Sequence, residues 1–379
     1  MRGLYITNWN LNDSASGVAK KINNQIKLFE NELGEMQIYD GDGNSYHMTG
    51  SQKKFNKFLD FVRLSGIHKV NLMYRNLLKN PKLIESIDYV YIRKALITPT
   101  VVSVLKDIKK IHPNIKILME IPTYPYDKEI RWFDCVSLML DKKARKSVSG
   151  IIDRIVTFSD DNCIFGVPTI QISNGINYDE IKMRTPLTHE GINLIAVALF
   201  SPWHGYDRII EGMHIERDVV EENNIVLHLI GNGRILNKYK SMVNENHLGA
   251  HVIFHGPEYG EVLDNSYNVA DIALDSMGRH RSGVFYNSSL KGKEYCAKGI
   301  PSISGVKTEL DFNNDAYFYC RVPADDTPVS MKKIIDFYHA VYDKASPLSV
   351  GEDIRNRTKS QFEFSAAMRP IIDYLHEAE

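Results

Sequence analysis

The stretch Ser288-Ser289-Leu290-Lys291-Gly292-Lys293-Glu294-Tyr295-Cys296-Ala297-Lys298-Gly299-Ile300-Pro301-Ser302-Ile303-Ser304 reads as a capped helix that stops abruptly and turns into a strand. Asn287, Ser288 and Ser289 are each able to act as the N-cap, and Gly299 followed by Pro301 closes the helix. The unpaired N–H groups at such a start hold a phosphate or sugar oxygen well. Just upstream, Arg279-His280-Arg281 adds three basic side chains, so the point where they converge favours an anion. A surface helix with solvated charges is the competing interpretation of this stretch alone.

Working outward, strand and helix patterns alternate throughout, which is the mark of α/β layering around mostly parallel sheets. In the first half the strand candidates are Leu4 to Asn8, Glu35 to Tyr39, Tyr89 to Arg93, Lys116 to Glu120 and Arg154 to Phe158. Val18, Ile22, Ile26 and Phe29 recur at spacings of four, four and three and predict one apolar helical face, and Thr100 to Ile111 predicts another helix. The second half repeats the grammar, with strands expected at Leu194 to Phe200, Ile225 to Ile230, His251 to Phe254, Asp271 to Leu274 and Ser302 to Ser304. Turn residues from Asn174 to Asp179 and on to Pro186 predict the connection, so the boundary is placed near 178. Gln361 to Leu375 reads as a final amphipathic helix broken at Pro370.

At 379 residues the chain suits two domains, each able to bury its own core. Its 46 basic and 47 acidic residues leave a formal net charge of -1, which argues against a nucleic-acid partner. No apolar run approaches the roughly 20 residues needed to span a bilayer. Met1 to Thr7 enters a strand without a signal peptide's apolar core, so the expected location is the cytoplasm. Cys135, Cys163, Cys296 and Cys320 are scattered, and the 13 histidines show no ligand spacing, so reduced thiols and no structural metal are expected. Neither a short repeat nor a low-complexity tract occurs.

Four further motifs carry chemistry. The strand Ile225 to Ile230 runs into Gly231-Asn232-Gly233-Arg234, a sharp turn whose backbone can face a ligand; without a third glycine or a following acidic residue, and with His255-Gly256 after Phe254, a nicotinamide enzyme is disfavoured. Pro202-Trp203-His204-Gly205-Tyr206-Asp207-Arg208 places His204 and Arg208 beyond the carboxyl end of a strand, where open α/β sheets bind ligands. Arg208 is suited to a bidentate phosphate contact, or alternatively to a helical pairing with Asp207 or Glu211. In the first half, Met119-Glu120-Ile121-Pro122-Thr123-Tyr124-Pro125-Tyr126-Asp127-Lys128-Glu129 joins aromatic faces to carboxylates, which suits a sugar, although two prolines would also make a rigid turn. Asn8-Trp9-Asn10 with Ser16-Gly17 puts another helix N-terminus at the sheet edge.

Together these motifs resemble the GT-B nucleotide-sugar glycosyltransferases, in particular the retaining family 4 enzymes of bacterial capsular and exported polysaccharide synthesis, over nearly the whole chain. Ser16-Gly17-Val18 looks like the family's small-residue loop, His204-Gly205-Tyr206-Asp207-Arg208-Ile209-Ile210-Glu211 like its Lys-Gly segment, and Gly231-Asn232-Gly233 like its Gly-x-Gly. Phe254-His255-Gly256 resembles its nucleoside loop, and Leu290 to Pro301 its Glu-x-x-Ala-x-Gly-x-Pro helix. Glu120 to Asp127, Ser173-Asn174-Gly175-Ile176 and Arg279-His280-Arg281 are similar to the polysaccharide enzymes. The resemblance places Glu294 on the ribose hydroxyls. Tyr286 stands where the family's first glutamate would be, eight positions earlier, and no arginine or lysine occupies Phe200, Ser201 or His204. Arg208, Arg279, Arg281 and Lys291 are expected to take over the diphosphate charge.

The resemblance therefore implies an α/β fold with two Rossmann-like domains facing across a cleft. Residues 1–178 would bind the acceptor, 179–358 the nucleotide-sugar, and 359–379 would form a helix packing back on the first domain. It implies sugar transfer from a nucleoside-diphosphate sugar, UDP- or GDP-linked, to a hydroxyl of a saccharide or lipid-linked acceptor, with retention and without an obligatory cofactor or metal. Glu120, Tyr124, Asp127, Arg208 and Lys291 are the expected catalytic set. Donor-binding positions are Ser16, Gly17, His204, Gly205, Gly231, Gly233, His255, Gly256, Arg279, His280, Arg281, Asn287, Ser288, Ser289, Leu290 and Glu294. Peripheral association with the inner membrane face stays open. The alternatives are a nucleotide-sugar 2-epimerase, which shares this architecture, and a non-catalytic nucleotide-sugar-binding partner subunit, which Tyr286 favours.

Overall fold

Each apolar run expected as a strand joins one of two sheets. The structure, a computed structural model, describes residues 1–12, 17–39, 65–94, 96–127 and 135–377. It divides into two compact units, Met1–Ile172 with Met368–Glu379, and Ser173–Ala367.

The first unit runs β1 (Gly3–Ile6), α1 (Gly17–Leu33), β2 (Met36–Tyr39), α2 (Ser65–Leu77), α3 (Pro81–Glu85), β3 (Tyr89–Arg93), α4 (Pro99–Ile111), β4 (Lys116–Ile121), α5 (Cys135–Ala144), β5 (Arg154–Thr157), β6 (Cys163–Ile164) and β7 (Val167–Gln171). Its sheet has the order β2-β1-β3-β4-β5-β7-β6, parallel except for the final β6–β7 hairpin. Ile22, Ile26 and Phe29 of the predicted helical face are buried, each burial contributing about 1.5–3 kcal/mol. Helix α4 starts where Thr98 accepts from the Val101 N–H and Pro99 fills the first turn, where a missing N–H costs nothing.

The second unit continues with β8 (Ile192–Phe200), α6 (Asp207–Ile215), α7 (Arg217–Glu222), β9 (Ile225–Gly233), α8 (Leu236–Glu245), β10 (Val252–Gly256), α9 (Gly260–Asn268), β11 (Ile272–Leu274), α10 (Leu290–Lys298), β12 (Ser302–Ser304), β13 (Tyr319–Arg321), α11 (Met331–Tyr342), α12 (Pro347–Phe362) and the first turn of α13 (Phe364–His376), which from Met368 onward belongs to the first unit. Its sheet is parallel throughout, in the order β10-β9-β8-β11-β12-β13. The strand order reverses between β8 and β11. In an open parallel sheet a ligand crevice forms at that point, outside the carboxyl ends of the strands.

The end of the chain differs from the sequence expectation. The break falls at Glu363, whose backbone is extended (ψ 138), and Pro370 lies inside α13. Ile176 forms a bridge there: its N–H donates to the Phe362 carbonyl and its carbonyl accepts from Phe364, both at 2.9 Å. On both sides of the proline, Met368, Ile371, Ile372 and Leu375 are fully buried, and that continuous apolar face holds the helix through Pro370.

Candidate functional site

The crevice of the second unit is built from main chain first. After β8, Ser201 opens a one-turn helix, Pro202–His204, and Gly205 follows in the left-handed region (φ 65). A Cβ at Gly205 would lie 2.5 Å from the Gly278 nitrogen, so the loop after β11 packs directly on this turn. Met277 N–H donates to the His204 carbonyl at 2.7 Å and Gly278 N–H to that of Trp203 at 3.2 Å. Gly231 and Gly233, at the end of β9, approach β8 as closely: added Cβ atoms would sit 2.0 Å from the Ala198 oxygen and 2.3 Å from that of Phe200. The glycines of the Gly-x-Gly turn thus serve strand approach.

Side chains are then hung on this floor. His204 Nδ1 accepts the Ser201 N–H at 3.0 Å, which leaves the proton on Nε2. Burial first, then the charges of Lys291 and Arg279, push its pKa down to about 2, so it is a neutral donor at working pH. Its ring stacks on Tyr206 with centroids 5.8 Å apart. Lys291, in the first turn of α10, donates to Tyr206 Oη at 3.2 Å and Ser276 Oγ at 3.4 Å and lies 3.7 Å from Asp275. Burial lowers its pKa to about 8, partly countered by Asp275 and assisted by Arg279. Ser289 caps α10: its Oγ accepts from Gly292 N–H at 3.4 Å and donates to the buried Asp275 at 2.8 Å.

Other expected cations are committed within the protein. Arg208 is only 2% exposed, and its guanidinium donates to the carbonyls of Thr327 and Met277 and reaches Asp325 at 3.5 Å. Arg281 donates to Asp207 at 2.9 Å, Asp326 at 2.7 Å and the Pro202 carbonyl at 3.0 Å. Burial would raise the Asp207 carboxyl, but Arg281 and Lys238 together hold it below its usual range. His280 Nε2 pairs with Asp326 at 3.1 Å. The sequence placed Arg208, His280 and Arg281 on the ligand; the structure shows them binding three loops to one another. Arg279 lies against Trp203.

Around the rim, Ser288 Oγ accepts the Asn174 N–H at 2.7 Å, Asn287 N–H donates to the Lys307 carbonyl at 2.8 Å, and Leu290 is exposed. Glu294, one turn into α10, accepts from Tyr267 Oη at 3.3 Å; burial raises its carboxyl despite Lys298. His255, at the end of β10 before Gly256, meets His228 at 2.9 Å and Glu258 at 3.3 Å. Tyr286 forms a bridge with Lys307 and sits 6.3 Å from the Phe312 ring.

In the first unit, Glu120, Tyr124 and Asp127 fall at the carboxyl end of β4. Glu120 is fully buried, accepting from Arg93, Tyr91 (2.6 Å) and Gln25 (2.8 Å). Burial would raise its carboxyl, but Arg93 and then Lys21 hold it down. Asp127 takes a bidentate pair from Arg145 at 2.7 and 3.1 Å, which depresses its pKa. The Tyr124 ring packs edge-on against Phe165 at 5.8 Å, and burial raises its hydroxyl. Gly17 begins α1, and Ser16 lies outside the described residues. Sequence gives Trp203 and Arg234 no role of their own: their contact joins loops of different strands and has no local sequence signal.

The sequence matches no protein-family model and no curated protein. The structure is similar to a glycosyltransferase from Rickettsia africae (TM-score 0.62, 14% identity, 100% of this chain and 98% of that one). It is also similar to sucrose-phosphate synthase from Thermosynechococcus elongatus (0.64, 14%, 100% of both chains) and to the lipopolysaccharide outer core galactosyltransferase WaaB (0.61, 12%, 100% of both). At such identities the likeness is one of fold. With two mostly parallel sheets and alternating helices, the chain has the two-domain α/β GT-B fold expected from its sequence.

Proposed function

We propose that the chain is a glycosyltransferase that moves a sugar from a nucleoside-diphosphate sugar, UDP- or GDP-linked, to a hydroxyl of a saccharide or lipid-linked acceptor, with retention, in bacterial surface-polysaccharide synthesis of the family 4 kind. The observation that carries this reading is the meeting of Lys291, Arg279 and neutral His204 beside the capped start of α10, at the switch point of the second sheet. As the anomeric C–O bond breaks, negative charge collects on the departing diphosphate. Cations and N–H donors already fixed in place stabilise that charge with little reorganisation. Glu294 accepts the ribose hydroxyls, and the loops at His255-Gly256 and Gly231 to Gly233 border the nucleoside. Residues 179–358 hold the donor and 1–178 the acceptor, with Tyr124 and Asp127 facing it and Glu120 and Arg208 supporting the loops around them. Exposed Val136 and Met139 beside Lys142 and Lys143 on α5 support peripheral contact with a membrane surface.

Thermal unfolding with UDP, GDP, ADP, CDP and dTDP, with and without magnesium, tests the donor assignment. Ligand at about 100 times its Kd adds about 2.7 kcal/mol, a shift of a few degrees in a chain of this size. One clear responder supports the reading, and no responder overturns it. A second reading, a binding subunit without turnover, is favoured by Tyr286, which offers no carboxylate to a donor sugar. Nucleotide binding without donor turnover on any saccharide acceptor would select it.

A further inference from the structure

Loops after three neighbouring strands of the second sheet, β9, β8 and β11, meet at one indole. Trp203 follows β8, Arg234 follows β9, and Arg279 follows β11. The guanidinium carbon of Arg234 lies 5.1 Å from the Trp203 ring centroid and that of Arg279 lies 5.8 Å away. Both fall within the ~6 Å over which an indole face attracts a cation. A planar guanidinium can stack on the ring and still present its N–H fork to an oxyanion. Two like charges gathered on one indole repel each other, and an anion bound between them relieves that repulsion. Arg234 is exposed and has no carboxylate within ion-pair distance among the described residues. Its neighbours Arg208 and Arg281 are matched to protein acceptors.

We propose that Trp203 is a shelf that holds Arg234 and Arg279 as a two-guanidinium clamp for the donor diphosphate. Arg234 then supplies the charge that the resemblance leaves vacant at Phe200, Ser201 and His204. This rests on the donor reading above and adds to it a residue and a device. Arg234 and Arg279 touch the diphosphate, whereas Trp203 is a positioning residue that acts through them.

The test uses the full chain with inorganic pyrophosphate, the five nucleoside diphosphates and the matching nucleosides, titrated by calorimetry at several salt concentrations. Arg234→Ala should weaken pyrophosphate and diphosphate binding tenfold or more and flatten its salt dependence, leaving nucleoside binding unchanged. Trp203→Ala should reproduce that pattern, and Trp203→Phe should restore most of the affinity by keeping an aromatic face. Should Trp203→Ala fail to fold, Arg234→Ala, at an exposed position, still decides the matter. Diphosphate affinity within twofold of wild type in Arg234→Ala overturns the clamp while the donor reading stands. Wild-type protein that binds neither pyrophosphate nor any nucleoside diphosphate overturns both.

Discussion

Lys291 sits in the first turn of α10 among Tyr206, Ser276 and Asp275, and enclosure there brings its pKa to about 8. Below that pH the ammonium is charged, and above it the charge is lost, so affinity for a diphosphate should fall as pH rises through 8. A bound anion favours the charged form and moves the step upward. Lys291→Arg should abolish the step, since a guanidinium stays protonated, and Lys291→Ala should cost about 1.5–3 kcal/mol of diphosphate affinity, the worth of a charge-assisted hydrogen bond. Calorimetry between pH 6 and 10 measures both; a flat wild-type profile would remove Lys291 from the anion site. His204 should contribute no step anywhere in this range. The identities of these residues were readable in the sequence, but their commitments were not. Arg208 and Arg281 look available to a ligand until Asp207, Asp325 and Asp326 are brought beside them by folding.

At the level of elements, the joint between the loops after β8 and β11 depends on Gly205. Its left-handed backbone and the 2.5 Å approach to the Gly278 nitrogen leave no room for a methyl group against main chain that cannot yield. Gly205→Ala should therefore cost at least ~2 kcal/mol, read as a lowered urea midpoint at unchanged m. An unchanged midpoint would mean that the two loops part easily. The main strands were legible because they are apolar runs closed by turn residues, as in Leu194 to Phe200. β7 and β13 were not. β7 carries Pro168 next to the Phe165-Gly166 turn, and β13 is a three-residue edge strand in which alternation has no length to develop. The break at Glu363 was missed because a proline is a visible local signal, whereas the pairing with Ile176 that ends α12 is distant in sequence.

At the scale of the molecule, the first unit takes its final segment, Met368–Glu379, from beyond the whole of the second. Four fully buried side chains there, Met368, Ile371, Ile372 and Leu375, represent on the order of 6–12 kcal/mol of apolar burial, against about 5–15 kcal/mol for a domain's entire stability. Ending the chain after Ala367 should unfold the first unit and spare the second. Amide exchange should then lose protection in β1, β3 and β4 and keep it in β8, β9 and β11; retained protection in the first set would show that its sheet stands without the segment.

Within the second unit, the incoming and outgoing chain touch: Ile176 pairs with Glu363, and a Cβ on Gly175 would lie 2.7 Å from the Phe364 Cα. A unit that begins and ends at one point can close on itself as soon as its last residue is made. On the ribosome the order of completion is therefore reversed from the order of synthesis. The half translated first must wait, open along the side that Met368–Glu379 will cover, until the half translated second has emerged.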